Sequence, residues 1–502
     1  MLKKILFILC IFIISYGVNY GQEQDDSVKS FLALSGNTEV SIPLNNPVIF
    51  PITGSTRGPV SVENMSPDLL DVKTDEIANS IVLKGLKYGQ GSFVLTRQKV
   101  RSAIYVAIRE PAGLLPEQVS ITVTGNPATR DFLKDSAIRT VLSKTSLKAG
   151  SYLLFDEYVP FECPSFLSRG ESKSFELPVK IENPLYYPVR ESVKVHVVNK
   201  IIPTTEASLL MISNRPEKIE DDGILFQEKI EPEKPVRLLY YHQNSPTSID
   251  REFLIKLTNS STKTVEMKLL SGTSGPDQDV FFVGHRSTVR FLQDYTYDAG
   301  QIITIPPKGE FIICRAFMKP GDVVSGLVEI HLLNNIPLSV KVQAGQPDIA
   351  FDKDEVLPDD FDPFRIHPKG VFAEPNLSSS FTYNVGSDDL VIPVGVSPWL
   401  SDIETGAPNQ GNYGVIYKFN IILNNPSGEE KTLRVCFSPV NGIARGVLII
   451  DNNLYETQLL RPGKTSSVTE IRLSPKERRS MKICTTPQSG SCYPVKILFK
   501  SN

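Results

Sequence analysis

Two stretches decide the fold: FLIKLTNSSTKTVEMKLL at residues 253–270 and FNIILNNPSGEEKTLRVCF at residues 419–437. Each reads as a strand, an Asn-centred turn and a second strand. Each is followed by a proline turn and a further strand, IPPKGEFIICRAF at 305–317 and LSPKERRSMKIC at 473–484. Pro307 lies 48 residues after Asn259, and Pro475 lies 50 after Asn425. LPVKIENPLYYPVRESVKVHVV at 177–198 follows the same plan, with Pro232 placed 49 residues after Asn183 and leading into VRLLYY. Spacing kept while the residues change predicts one fold copied three times, with loops absorbing the differences. Alternation supports sandwiches: in SVKVHVV, Val193, Val195 and Val197 take one face and Lys194 and His196 the other.

Working outward, the fold class is mainly β: tandem immunoglobulin-like antiparallel β-sandwiches, with one longer helix near 129–144 and a short helical insertion near 287–296. At 502 residues the chain is long enough for several domains. Its 37 Pro and 32 Gly suit many short strands and turns. The predicted order is a signal peptide at 1–21, a small β-sandwich at 30–110 and a strand-helix connecting segment at 111–169. Ig-like repeats follow at 170–236, 237–345 and 371–502, with an acidic, proline-rich linker at 346–370. The helix rests on Leu133, Ala137 and Val141 at i, i+4 and i+8, with Phe132, Ile138 and Leu142 beside them, which suits a cover for a sheet edge or a joint between domains.

The leader MLKKILFILCIFIISYGVNYGQ has two lysines, an apolar run from Ile5 to Ile14 and small residues, with cleavage after Gly17 or Gly21. That run is too short to span a bilayer. The expected location is outside the inner membrane: periplasmic, cell-surface or extracellular. Cleavage removes two lysines and takes the formal charge from −3 to −5. That balance, without a basic patch, argues against nucleic acid. Five cysteines then remain. Cys484 and Cys492 flank TTPQSGS at a hairpin tip and are the first choice for a disulfide, with Cys436 to Cys484 as competitor.

PVSVENMSPDLLDV at 59–72 followed by LKGLKYGQGSFVL at 83–95 resembles the N-terminal domain of pilus-biogenesis secretin proteins. A second resemblance, across residues 213 to 500, runs in order through SNRPEKIEDDGILF, VRLLYYHQN, REFLIKLTNSS and GNYGVIYKFNIILNNPS. It points to a family of uncharacterised secreted bacterial proteins best known from cyanobacteria. The first implies a link to a pilus or secretion assembly. The second implies secretion and fold, and brings no activity.

Chemistry is sparse. There is no GxSxG elbow and no Cys–His signature, and neither cysteine spacing suits zinc. His196 and His331 read as solvent-facing strand residues, the latter beside Glu329; His242 ends a strand and His367 lies in the linker. The acidic run DKDEVLPDDFD at 352–362 offers calcium ligands but lacks the alternation of an EF-hand loop. Gly411 and Gly414 suit tight turns better than a phosphate loop.

The exception is SGTSGPDQDVFFVGHRSTVRFLQDY at 271–295, where the third repeat has strand, turn and strand instead. Val289, Leu292 and Tyr295, with Phe291, give a helix an apolar face, and Ser287 is placed to cap it. Structurally, such a helix would cover the open end or edge of its own sandwich. Functionally, Asp277, Asp279, His285 and Arg286 would cluster at its N-terminus and bind an anion or a partner's carboxylate. The expectation is a non-enzymatic envelope protein that needs no cofactor or metal and contacts an envelope protein or surface polysaccharide. The competing class is a carbohydrate-active or other hydrolase with paired acids in an interdomain cleft.

Overall fold

A computed structural model describes residues 31–346, 356–357 and 367–501. The leader, and all of the acidic run 352–362 except Val356 and Leu357, lie outside the described residues. The chain forms two compact units. One takes Met1–Leu114 with Leu147–Tyr152 and Ile181–Val189; the other takes Leu115–Ser146, Leu153–Lys180 and Arg190–Asn502.

In the first unit, two four-stranded sheets face each other, centred on the strands Val48–Gly54 with Ser80–Gly85 and on Gly89–Arg97 with Val100–Arg109. Alternation along them sends Phe93, Leu95, Ile104, Val106 and Ile108 into one core with Leu34, Ile42, Ile81 and Leu83. One pairing is parallel, Glu39–Pro43 with Val100–Arg109.

The second unit is organised by one long sheet. Leu209–Ser213, Val236–Asn244, Val323–Leu332, Val265–Asp277 and Gln301–Ile305 lie on its path; it then continues through Gln118–Val123 into Val189–Asn199 and Ser172–Glu182. A four-stranded sheet, Gly223–Ile230, Leu338–Gly345, Arg251–Thr258 and Glu310–Met318, faces its middle and closes the middle sandwich. A C-terminal sandwich follows, of five and four strands from Asn376 to Ser501. These are the tandem immunoglobulin-like sandwiches of the expected fold class.

The helix α1 (Arg130–Lys144) buries Phe132, Leu133, Ala137 and Val141 against Val119, Ile121, Val193, Val195 and Val197. It therefore covers a sheet face, and Leu142 remains exposed.

Two of the three expected repeats are copies. Asn259 Nδ2 donates to the carbonyls of Lys263, Ile305 and Pro306 at 2.8, 3.2 and 2.9 Å, and its Oδ1 accepts from Ser261 N and Oγ. Asn425 Nδ2 donates to Glu429, Leu473 and Ser474 at 2.7, 3.2 and 2.9 Å, with Ser427 in the role of Ser261. The amide thus ties the turn to the next strand pair, which is why the Asn-to-Pro interval is kept.

Asn183 does something else: it donates to Ala149 O at 2.9 Å and Ser151 Oγ at 3.0 Å. Pro232 lies between Gly223–Ile230 and Val236–Asn244, which belong to the two sheets of the middle sandwich. The predicted repeat at 170–236 is thus not a sandwich. Its first half is closed by α1 and its second half completes the middle sandwich, so a similar interval arose without a shared turn.

The cysteine expectation also fails, since all five described cysteines are free. In the strand Arg478–Thr485, Met481 and Ile483 are buried in the core, and Cys484, on the opposite face of the strand, is half-buried near Lys418 and Arg237. Cys436 has Lys500, Arg434 and Asp389 around it, across the other sheet. Cys492 lies against Gly442.

Candidate functional site

The insertion is longer than its apolar spacing indicates. Helix α2 runs Val280–Thr296, and its N-cap is Asp279, whose Oδ1 accepts from Phe281 N and Phe282 N at 3.0 Å each. Asp277 Oδ1 accepts in turn from Asp279 N at 2.9 Å. Ser287, expected to cap, is buried about two turns inside and donates to Gly284 O at 2.9 Å. The acid two residues before the double Phe was the better cap signal.

The helix does not cover the edge of its own sandwich. It lies on the outer face of the long sheet, against Val265–Asp277 and Val323–Leu332, and touches Val447–Ile450 of the C-terminal sandwich. Phe291 and Leu292 are fully buried among Leu210, Ile212, Leu239, Leu270, Leu327 and Phe372, in a core continuous with that of the C-terminal sandwich. Burying each of these two side chains is worth about 2 kcal/mol. Backbones meet on both sides: a β-carbon at Gly272 would strike the carbonyl of Ser287, and one at Gly284 would strike the carbonyl of Ser489. The insertion is a wedge that joins two sandwiches.

The four residues expected to form a polar cluster separate. Asp277 and Asp279 are consumed by the cap. Arg286 is exposed and its guanidinium lies 5.5 Å from the Phe282 ring centroid. His285 is buried and faces the C-terminal sandwich, with Nε2 2.6 Å from Glu456 Oε2 and Nδ1 3.2 Å from Gln488 Oε1. Gln488 Nε2 donates to Ser491 Oγ at 3.1 Å, so its Oε1 is left to accept from the imidazole. Burial, the largest effect, lowers the His285 pKa and Arg445 adds to this, while the contacts with Glu456 and Gln488 oppose it.

The hub of the junction is a residue the sequence reading passed over. Arg237 is fully buried: Nε and Nη2 donate to Glu329 Oε1 at 2.9 and 2.6 Å, and Nη1 donates to Pro375 O and Gly414 O at 3.0 Å each. Nη2 also donates to Asn376 Oδ1 at 2.9 Å. Phe291 and Tyr295 of α2 flank the guanidinium at 5.9 and 6.0 Å. One cation therefore ties the middle sandwich, α2 and the C-terminal sandwich together. Glu329 and His331 are not solvent-facing: Glu329 is buried against Arg237, and His331 is half-buried near Lys268 and Asp298. The sheet face that two-state alternation assigned to water is covered. A legible signal existed in LLMIS at 209–213 and RLLYYH at 237–242, which are continuous apolar runs, the mark of strands buried on both faces.

His242 is fully buried, with Nδ1 2.8 Å from Pro216 O and Nε2 2.8 Å from Ser213 Oγ. Its neutral ring donates to the carbonyl and accepts from the hydroxyl. Burial pushes its pKa down to about 4. The Ser–His contact superficially resembles a nucleophile with its base, but both residues are sealed from solvent.

A cleft of about 460 Å³ separates α1, α2 and the hairpin that carries Glu456. Asp135 and Arg139 of α1 face Arg290 and Asp294 of α2 across it. Burial, then the charge of Asp135, raises the Asp294 pKa well above the usual range, with Arg139 and Arg290 opposing. Among the described residues, no group of three or more His, Cys, Asp or Glu side chains is placed to hold a metal ion. No helix among them is long and apolar enough to cross a membrane.

No protein-family model and no curated protein sequence matches the chain. Solved structures match parts of it. Domains 5–6 of the S-layer protein SbsC match at 10% identity and TM-score 0.15, over 34% of this chain and 99% of that one. The tandem Ig repeats of Dlar match at 15% identity and TM-score 0.16, over 32% and 92%. The M60 catalytic domain with its CBM51-1 and CBM51-2 domains from Clostridium perfringens ZmpB matches at 9% identity and TM-score 0.17, over 96% and 56%. Likenesses this slight carry no argument about activity.

Proposed function

We propose that the protein is a secreted, non-enzymatic component of a bacterial cell envelope that acts through protein or surface-glycan contacts, as a scaffold, adhesin or accessory factor of a pilus or secretion assembly. One observation carries this reading: the stretch with the most chemical texture, around His285, is spent on joining two sandwiches. Fixing one sandwich against the next gives a scaffold a defined spacing between its surfaces. The leader and the resemblance of residues 59–95 to the secretin N-terminal domain support the envelope location.

The hydrolase reading has one observation in its favour. Asp294, with its raised pKa and Asp135 across the cleft, has the environment of a general acid. Cross-linking the protein in its native envelope tests the first reading, with an envelope protein or polysaccharide as the expected capture. Purified protein that degrades envelope polysaccharide, and loses this on Asp135→Asn with Asp294→Asn, would overturn it.

A further inference from the structure

The two copied sandwiches differ at one sheet edge. In the C-terminal sandwich, Arg478–Thr485 pairs with Ile416–Asn424 on one side and with Val447–Ile450 on the other, Ile449 lying opposite Cys484. In the middle sandwich the equivalent strand, Glu310–Met318, pairs with Arg251–Thr258 on one side. Among the described residues, no strand pairs with its other side. The register fixes the equivalence: Phe253 lies opposite Ala316 as Phe419 lies opposite Ile483, so Phe317 stands where Cys484 stands. The segment that would supply the missing strand lies between Val265–Asp277 and Gln301–Ile305. There it forms α2, on the other sheet.

The uncovered edge is apolar. Phe317 is 60% exposed and Ile312 is 42% exposed. Arg315 stacks 5.8 Å from the Phe317 ring centroid, and its charge is already met by the buried Glu252. Its sister strand is covered by Val447, Leu448, Ile449 and Ile450, four uncharged aliphatic residues in extended conformation. We propose that Glu310–Met318 is a docking edge, completed by an extended, uncharged aliphatic segment of a partner protein. That segment adds antiparallel to Ala316–Met318, as Val447–Ile450 adds to Ile483–Thr485, and buries Phe317.

A second copy of the same strand fits poorly. The bulge at Ile313, between the pairs Ile255–Cys314 and Lys256–Ile312, breaks the alternation. The register that sets Ile312 opposite Phe317 of a second copy also sets outward Arg315 opposite inward Cys314. Shifting by one residue sets Arg315 opposite Arg315. A partner strand without a bulge escapes both conflicts. The inference rests on the edge itself and holds wherever the protein resides.

The test uses the full chain and a synthetic peptide of residues 446–451, Gly-Val-Leu-Ile-Ile-Asp, flanked by lysines. Binding should slow amide exchange across residues 311–318, and Phe317→Lys should weaken it by about tenfold or more with the melting temperature unchanged. The same peptide with proline at the position of Ile449 should not bind. Overturning results are no slowing at 311–318, protection at 478–485 instead, which would mark strand exchange, or equal binding to Phe317→Lys.

Discussion

Between Val265–Asp277 and Gln301–Ile305 the middle sandwich carries a helix of 17 residues; between Lys431–Pro439 and Ser466–Leu473 the C-terminal sandwich carries a hairpin. The frame around both insertions is the same, down to the hydrogen bonds of Asn259 and Asn425. The hairpin leaves the sheet of its flanking strands, crosses to the opposite sheet and covers an edge there, beside Arg478–Thr485. The helix stays with the sheet of its flanking strands and lies on its outer face, and everything beneath it must become apolar or paired, which is why Leu210, Leu239 and Leu327 are buried where an isolated sandwich would face water. A sandwich that lends its insertion to a neighbour gains a fixed junction and leaves a strand edge open.

The largest way to break this asymmetry is at Arg237. Arg237→Met leaves the Glu329 carboxylate and the carbonyls of Pro375 and Gly414 buried without their donor. It should cost about 3–5 kcal/mol, read from urea unfolding. Adding Glu329→Gln should recover part of the loss, because no unpaired buried charge then remains. A variant as stable as the parent would mean that the apolar contacts of α2 alone hold the junction.

Acid should discriminate between the two sandwiches. His242 lies in the middle one, while the sequence from 371 onward contains no histidine. Its folded pKa of about 4 lies below the 6.5 of a free histidine side chain. The unfolded chain therefore takes up the proton first as pH falls. Stability is full above pH 6.5 and declines below it, reaching its full loss near pH 4, in total about 3 kcal/mol. Hydrogen exchange at pH 7 and pH 4.5 should show the middle sandwich loosening more than the C-terminal one. Equal loosening would place the acid-sensitive group elsewhere.

Much of this architecture was legible in the sequence. Period-two alternation and the Asn turns identified the sandwiches, and Leu133, Ala137 and Val141 located α1. What was not legible depended on which faces meet. Alternation shows that Val193 and Lys194 face opposite ways, but it cannot show that the outward face of Val323–Leu332 has a helix on it, so Glu329 read as solvated. The candidate site failed for a related reason. His285 and Arg286 are adjacent in sequence and point in different directions on a helix, and the partners of His285, Glu456 and Gln488, lie 171 and 203 residues away. No local pattern encodes that meeting.

The repeat itself gives the finest test. Asn259→Ala and Asn425→Ala each remove one amide from three carbonyls and from a Ser hydroxyl, in two turns with matching geometry. Each should cost about 2 kcal/mol, and the two losses should agree, because the buried acceptors are the same in number and kind. Asn183 serves a single carbonyl and a hydroxyl in a different turn, so Asn183→Ala should cost about 1 kcal/mol. Urea midpoints of the three variants measure the series. An equal loss at all three positions would restore the threefold repeat that the intervals alone suggested. A clear gap between Asn183 and the other pair would show that an interval marks common structure only where its two ends are joined by the same hydrogen bonds.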